Sequence, residues 1–185
     1  MKHCVLLAQL GIAGVGKTAI ASRFVTGLFS EEYDPTVEYL LRKQFKVDSE
    51  SIKMEIFDVV GEEEHSALND QALRMAEGFL VTYSIKDKYS FGAIDSYLRQ
   101  IQRAKDAEFY PTVIVGNMCD LENCRQVTTD EGAMFAEKCK TPFYESSAKF
   151  GFNVNEVFQA ITREVLRYRI EHNITHAPKK ACVVC

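Results

Sequence analysis

Gly11-Ile12-Ala13-Gly14-Val15-Gly16-Lys17-Thr18 sets glycines, a lysine and a threonine at the offsets of a phosphate-binding loop. Each residue type brings its own chemistry. The glycines let the main chain approach a polyphosphate and turn its N–H groups inward, Lys17 offers a point charge to the outer phosphates, and the Thr18 hydroxyl can ligate Mg2+. The apolar run Val5-Leu6-Leu7-Ala8 in front and the helical pattern behind favour this reading over an ordinary glycine-rich turn.

Three further elements carry chemistry. Asp58-Val59-Val60-Gly61, leading into Glu62, Glu63 and Glu64, puts an aspartate where it can hold Mg2+, usually through water, and a glycine N–H where it can meet a terminal phosphate. Asn117-Met118-Cys119-Asp120 offers a carboxylate at Asp120 that can accept from the N1–H and exocyclic amine of guanine, a paired donor set that adenine lacks. Ser146-Ser147-Ala148-Lys149 can present the Ala148 N–H to the guanine carbonyl oxygen. Any one of these reads equally as a turn or a helix cap. Their order along one chain is what argues for a nucleotide site.

The elements that must position them alternate. Strand-like runs recur at about 4–10, 39–47, 51–57, 79–84, 112–116 and 142–145, and helical periodicity fills about 16–26, 66–75, 88–104, 128–139 and 153–171. Such alternation predicts an α/β fold, with a mostly parallel sheet between helices and ligands at the carboxyl ends of the strands. Only Asp48, Ser49 and Glu50 separate the second and third runs, so a hairpin with one antiparallel edge strand is expected there. Thr128 or Thr129 with Glu131, and Asn153 or Asn155, mark helix starts. The reading is a single domain over 1–171, with a flexible tail over 172–185.

Composition narrows the class. A chain of 185 residues with 46 % hydrophobic content can bury one substantial core. Its formal net charge of −4 argues against nucleic acid as the principal partner. Residues 161–185 depart from that balance, with Arg163, Arg167, Arg169, Lys179 and Lys180 against Glu164 and Glu171, which suits a mild attraction to an anionic membrane surface. No apolar stretch approaches a membrane span and no secretory pattern opens the chain, so a cytoplasmic location is expected. The scattered cysteines read as reduced thiols.

With these residues in view, the chain resembles a small GTPase of the Ras subfamily over essentially its full length. The resemblance is carried by the phosphate loop, Tyr33-Asp34-Pro35-Thr36, Asp58 to Gly61, Asn117 with Asp120, and Ser147-Ala148-Lys149, and extends to Asp70-Gln71-Ala72-Leu73-Arg74 and Glu77-Gly78-Phe79-Leu80. It implies the P-loop small GTPase fold, a six-stranded sheet with five helices, binding GTP or GDP with Mg2+ and hydrolysing GTP. Nucleotide contacts would come from Gly11, Ala13, Gly14, Val15, Gly16, Lys17, Thr18 and Ala19 at the phosphates. Phe29, Tyr33, Pro35, Thr36 and Gly61 would add to them, with Phe29 edge-on to the base, and Asn117, Met118, Asp120, Leu121, Ser147, Ala148 and Lys149 would surround the guanine. Thr18, Thr36 and, through water, Asp58 would serve the metal. Lys17, Gly61 and Glu62 would occupy the catalytic positions. The two switches would span Tyr33 to Leu41 and Val60 to Arg74, held together when the terminal phosphate and its metal are bound.

Four positions depart from that pattern. Ala13 stands where glycine is expected, adding a methyl in the space that a catalytic glutamine and a partner's arginine finger share. Glu62 replaces that glutamine, and an ionised carboxylate can only accept hydrogen bonds. It is also repelled by the terminal phosphate, so the response to a GTPase-activating protein should be poor. Val60 replaces an alanine at the pivot of the second switch. Met118 replaces a lysine, keeping an apolar stem against the base but losing the charge, which predicts faster nucleotide exchange. Together they predict a slow GTPase biased towards its GTP-bound state.

Partners follow from the same comparison. Effectors would dock on the two switches, and a guanine nucleotide exchange factor would open the site. Val37-Glu38-Tyr39-Leu40-Leu41 is less acidic than usual, so basic effector domains should bind less well, while Tyr39 or Leu41 exposed on the edge would favour an apolar partner. Cys182-Val183-Val184-Cys185 has the form of a prenylation site with an unorthodox last residue, and lipidation of Cys182 with Lys179 and Lys180 would place the chain on a cytoplasmic leaflet such as that of the plasma membrane. A zinc set of His172, His176, Cys182 and Cys185 is the lesser reading of this tail, since its spacing matches no standard finger. Two rival functions are a nearly non-hydrolysing GTP-binding scaffold and an ATP-dependent nucleotide kinase. Asp120 and Ser147-Ala148-Lys149 speak against the kinase.

Overall fold

A computed structural model describes residues 3–30, 40–58 and 67–174. The strands are β1 (His3–Leu10), β2 (Leu40–Val47), β3 (Glu50–Asp58), β4 (Gly78–Ser84), β5 (Thr112–Asn117) and β6 (Phe143–Ser146). The helices are α1 (Lys17–Thr26), α2 (Ala67–Met75), α3 (Lys88–Gly92), α4 (Ile94–Lys105), α5 (Thr129–Cys139) and α6 (Val154–Glu171). The sheet runs β2-β3-β1-β4-β5-β6, and β2 alone is antiparallel, paired to β3 from Leu40↔Phe57 to Val47↔Glu50. Asp48 and Ser49, both at positive φ, make the hairpin turn, so Glu50 belongs to the ladder and not to the loop. The predicted α/β order therefore holds. The third helix is divided at Ala93, whose N–H bonds back to Tyr89 and Phe91 carbonyls, so α3 and α4 together fill one of five helical positions.

Alternation along β1 explains the two cores. Val5 and Leu7 face a cluster with Ile20 and Phe24 of α1 and Phe158, Ile161 and Val165 of α6, whereas Ala8 and Leu10 face Leu73 of α2, Ile94 and Ile101 of α4, and Ala136 of α5. Phe24 stacks on Phe158 with ring centroids 3.9 Å apart, which fixes α1 against α6. Burying each such ring or branched chain contributes about 1.5–3 kcal/mol.

The helix ends bear out most of the terminus signals. Thr128 caps α5 by accepting from Glu131 N at 3.1 Å, and the Glu131 carboxylate accepts from Thr128 N at 2.8 Å. Gly27 closes α1 at φ 77°, donating to the Arg23 carbonyl at 3.0 Å. Asn153 occupies the cap position of α6, but its side chain donates to the Glu145 carbonyl at 2.8 Å instead of capping. That diversion ties the start of α6 to the end of β6. None of the helices among the described residues is long and apolar enough to cross a membrane.

Candidate functional site

The strand order reverses at β1, and the carboxyl ends of β1, β3, β5 and β6 open on one side of the sheet. The loop Gly11–Gly16 leaves β1 there and enters α1. Gly11 lies so close to β4 that a Cβ would stand 2.2 Å from the Thr82 carbonyl oxygen. Gly16, at φ 89°, is the N-cap of α1, and a Cβ there would stand 2.3 Å from Asn117 Nδ2. Ala13 and Gly14 are exposed at the crest of the loop. The first turn of α1 has no acidic residue and its cap makes no side-chain hydrogen bond, so the positive end of the helix is left to an anion.

Lys17 is buried beneath the loop, and its ammonium donates to the carbonyls of Gly11 at 2.7 Å and Ile12 at 2.9 Å. Burial pulls its pKa down, and the charge of Asp58 pulls it back up. Across the loop, the Thr18 hydroxyl donates to Asp58 Oδ2. Burial pushes the Asp58 carboxyl up, against the Thr18 hydrogen bond and the Lys17 charge. Asp58 Oδ1 is buried and has no hydrogen-bond partner among the described residues. An unpartnered carboxylate oxygen beside a hydroxyl is the donor set of a hard cation, so these residues fit Mg2+.

The second half of the site is tied to the first by Asn117. This residue is 1 % exposed, and its Nδ2 donates to the Val15 carbonyl at 2.8 Å while its Oδ1 accepts from Ser146 Oγ at 3.4 Å. Its role is therefore to join three loops. Met118 sits at φ 65°, accepts from Ser84 Oγ on its sulfur at 3.3 Å, and brings its terminal methyl within 3.6 Å of the position of a Gly16 Cβ. The thioether thus reaches the phosphate loop without bringing a charge to it. Cys119 N donates to the Ser146 carbonyl at 3.1 Å and Leu121 N to the Met118 carbonyl at 2.9 Å, which holds half-buried Asp120 between them. Ser147 and Ala148 are buried, Ser147 N donating to the Phe152 carbonyl at 3.1 Å, and Lys149 is exposed beside them. Phe29 and Ala19 pack, half-buried, against the α1 and α6 core.

Tyr33, Pro35, Thr36, Val60, Gly61, Glu62 and Cys182 lie outside the described residues, as do Tyr39 and all of the proposed zinc set except His172. Of the first switch only Leu40 and Leu41 are described, and Leu41 packs against the core instead of standing exposed on the edge. Its side chain shares the sheet face of Lys43 and Phe45, which α1 covers.

Two residues of the site escape sequence reasoning. Arg125 clamps Glu145 of β6 through bonds of 2.6 and 3.0 Å and Glu122 through bonds of 2.8 and 2.9 Å, joining the two base loops from behind. Its spacing from Glu122 is legible as an i,i+3 pair, but Glu145 is not. Gln9 is fully buried and its Nε2 donates to the Lys17 carbonyl at 3.2 Å. A polar residue within the apolar run before the loop was the available signal.

The Ras family matches this chain over residues 5–167. Ras-like protein 1 of Saccharomyces cerevisiae is 44 % identical over 159 residues, which are 86 % of this chain and 52 % of the yeast protein. Ras-like protein rasB of Dictyostelium discoideum is 40 % identical over 178 residues, 96 % of this chain and 90 % of that protein. The chain thus spans about half the length of the yeast relative and most of the amoebal one.

Proposed function

As this chain belongs to the Ras family of small GTPases, we propose that it binds GTP and GDP with Mg2+ and hydrolyses GTP slowly, as a membrane-associated signalling switch that rests in its GTP-bound state. The observation that carries this reading is the bond from Asn117 Nδ2 to the Val15 carbonyl, which seats the base loops on the phosphate loop above buried Lys17 and Asp58. Lys17 and the first-turn N–H groups of α1 take the phosphates, and Asp120 with the Ala148 N–H takes the guanine edge. Mg2+, at Thr18, Thr36 and, through water, Asp58, supplies positive charge that offsets the phosphate oxygens. A bound anion and cation also relieve the mutual burial of Lys17 and Asp58.

The bias towards GTP rests on the residues that turn over and retain nucleotide. Glu62 can accept a hydrogen bond from water but cannot donate one to a phosphoryl oxygen, and exposed Ala13 adds a methyl where a partner's arginine must enter. Met118 holds the phosphate loop only through its stem. Where GTP exceeds GDP, quick exchange refills the site with GTP and weak stimulated hydrolysis leaves it there. Cys182 with Lys179 and Lys180 would supply the membrane anchor, and the switches would supply the surfaces for effectors and an exchange factor. The same substitutions favour a second reading, a nearly non-hydrolysing GTP-filled scaffold, and multiple-turnover phosphate release separates the two. Release of labelled GDP and single-turnover hydrolysis, each with and without a GTPase-activating protein, test the proposal. Fast release with little stimulation supports it, and slow release with strong stimulation refutes it.

A further inference from the structure

The face of β4 that packs against α1 and α6 changes character as it nears the site. Leu80 belongs to that core, and Thr82 and Ser84 follow at the alternate positions. Ser84 ends the strand, is 2 % exposed, and donates its hydroxyl to the Met118 sulfur at 3.3 Å. The main chain around it is pinned. Ser84 N donates to Ser90 Oγ at 3.0 Å, Ser90 Oγ donates to the Asp87 carbonyl at 2.7 Å, and Ile85 N donates to the Asn117 carbonyl at 3.0 Å. The Ile85 carbonyl accepts from Gln126 N at 2.8 Å and Val127 N at 3.0 Å. A short side chain on so fixed a main chain can serve as an anchor.

Met118 needs one. An unbranched thioether with three rotatable bonds keeps no shape by itself, and ordering it costs more entropy than ordering a shorter or branched chain. Its far end meets two partners. The Ser84 hydroxyl holds the sulfur, and the terminal methyl lies 3.6 Å from the place that a Cβ on Gly16 would take, a place that Asn117 Nδ2 also crowds. Sulfur can accept this hydrogen bond, whereas a hydrocarbon side chain of the same size cannot. The base loop therefore reaches the phosphate loop twice, through the Asn117 amide on the Val15 carbonyl and through a thioether held from the end of β4.

We propose that Ser84 is a positioning residue for nucleotide retention, its hydroxyl fixing the Met118 side chain across the base and phosphate loops before any ligand arrives. The proposal rests on the guanine-nucleotide reading given above. A thioether that is already ordered does not have to be ordered by the incoming nucleotide, and the affinity gained in this way appears as slower release. The contact is neutral, so its grip is weaker than that of a charge-assisted bond.

The test begins with the nucleotide-free protein. Nuclear magnetic resonance of isotopically labelled methionine methyls, with the Met118 signal assigned by its loss in Met118→Leu, reads the side chain directly. The Met118 methyl carbon is expected at the shift of one fixed rotamer, moving towards the rotationally averaged value in Ser84→Ala. An averaged shift in the unaltered protein overturns the proposal. Release of labelled GDP gives the coupling. Ser84→Ala should speed release about fivefold in the natural background and leave it unchanged in the Met118→Leu background. Equal acceleration in both backgrounds makes Ser84 a packing residue and overturns its positioning role. Failure of the unaltered protein to retain GDP strikes the guanine-nucleotide reading and the retention role with it, while the methyl shift still decides whether Ser84 holds Met118.

Discussion

Arg125 and Glu145 meet in a two-pronged ion pair, with side chains only 14 % and 15 % exposed, at the back of the segments that the base would occupy. Glu145 immediately precedes Ser146 and Ser147, and Arg125 follows the turn that begins at Asn117. The pair therefore sets the distance between the two base loops, a task that Met118 cannot share by charge. Arg125→Gln is expected to cost about 2 kcal/mol, lowering Tm by roughly 4–8 °C, and to speed GDP release about tenfold. Arg163→Gln, which breaks the exposed pair with Asp48, should leave both near their starting values. Equal behaviour of the two variants would remove the special standing of Arg125.

Gly16→Ala probes the contact between the phosphate loop and Asn117. The new methyl would have to displace Asn117 Nδ2 and tolerate φ 89°. We expect GDP affinity to fall by roughly 100-fold, about 2.7 kcal/mol, as read by calorimetry. Gly14→Ala, where a Cβ meets nothing within 4 Å, should cost far less. The reverse order would contradict the geometry.

Met118→Lys should slow exchange. An ammonium in place of the thioether adds charge-assisted bonds between the base loop and the phosphate loop, and release of labelled GDP should slow about tenfold. An unchanged rate would mean that the apolar stem alone sets retention.

Lys105 gives the protein a pH-dependent element away from the pocket. Its ammonium donates to the Arg74 carbonyl at 2.7 Å, at the end of α2, and lies 4.7 Å from the centre of the Tyr110 ring. Burial lowers its pKa from 10.5 to about 8, with the charge of Glu77 opposing the change. Between those values the unfolded chain binds the extra proton, so stability gained from this residue grows as pH rises from about 8 towards 10.5, and the penalty of the buried charge is fully present below 8. Denaturant unfolding of the unaltered protein and Lys105→Met across that range should show the difference moving in favour of lysine. A flat difference would contradict it.

Much of this fold can be read from the residues because the signals are local. Apolar runs place every strand within about two residues, the hairpin follows from the short gap although Glu50 joins the ladder and leaves Asp48 and Ser49 as the turn, and the Thr128–Glu131 box follows from spacing. The misreadings have physical causes. Leu41 is turned inward by the pleat of β2, and Asn153, which does mark the start of α6, turns its side chain to the Glu145 carbonyl instead of making a cap bond. The break at Ala93 leaves helical periodicity intact on both sides, so periodicity cannot reveal it. The residues proposed for phosphate and base are legible because glycine, lysine and aspartate stand at fixed offsets. Gln9 and Arg125 are not, because the partner of each, the Lys17 carbonyl and the Glu145 carboxylate, comes from another element of the fold.

The most direct measurement of the central claim is calorimetry on folded, nucleotide-stripped protein in the presence of Mg2+, titrated in turn with GDP, GTP, ADP and ATP. Strong saturable heats with both guanine nucleotides and none with the adenine pair are predicted, since Asp120 matches the paired donors of guanine. Heats of similar size with all four, or none with the guanine nucleotides, would contradict the account.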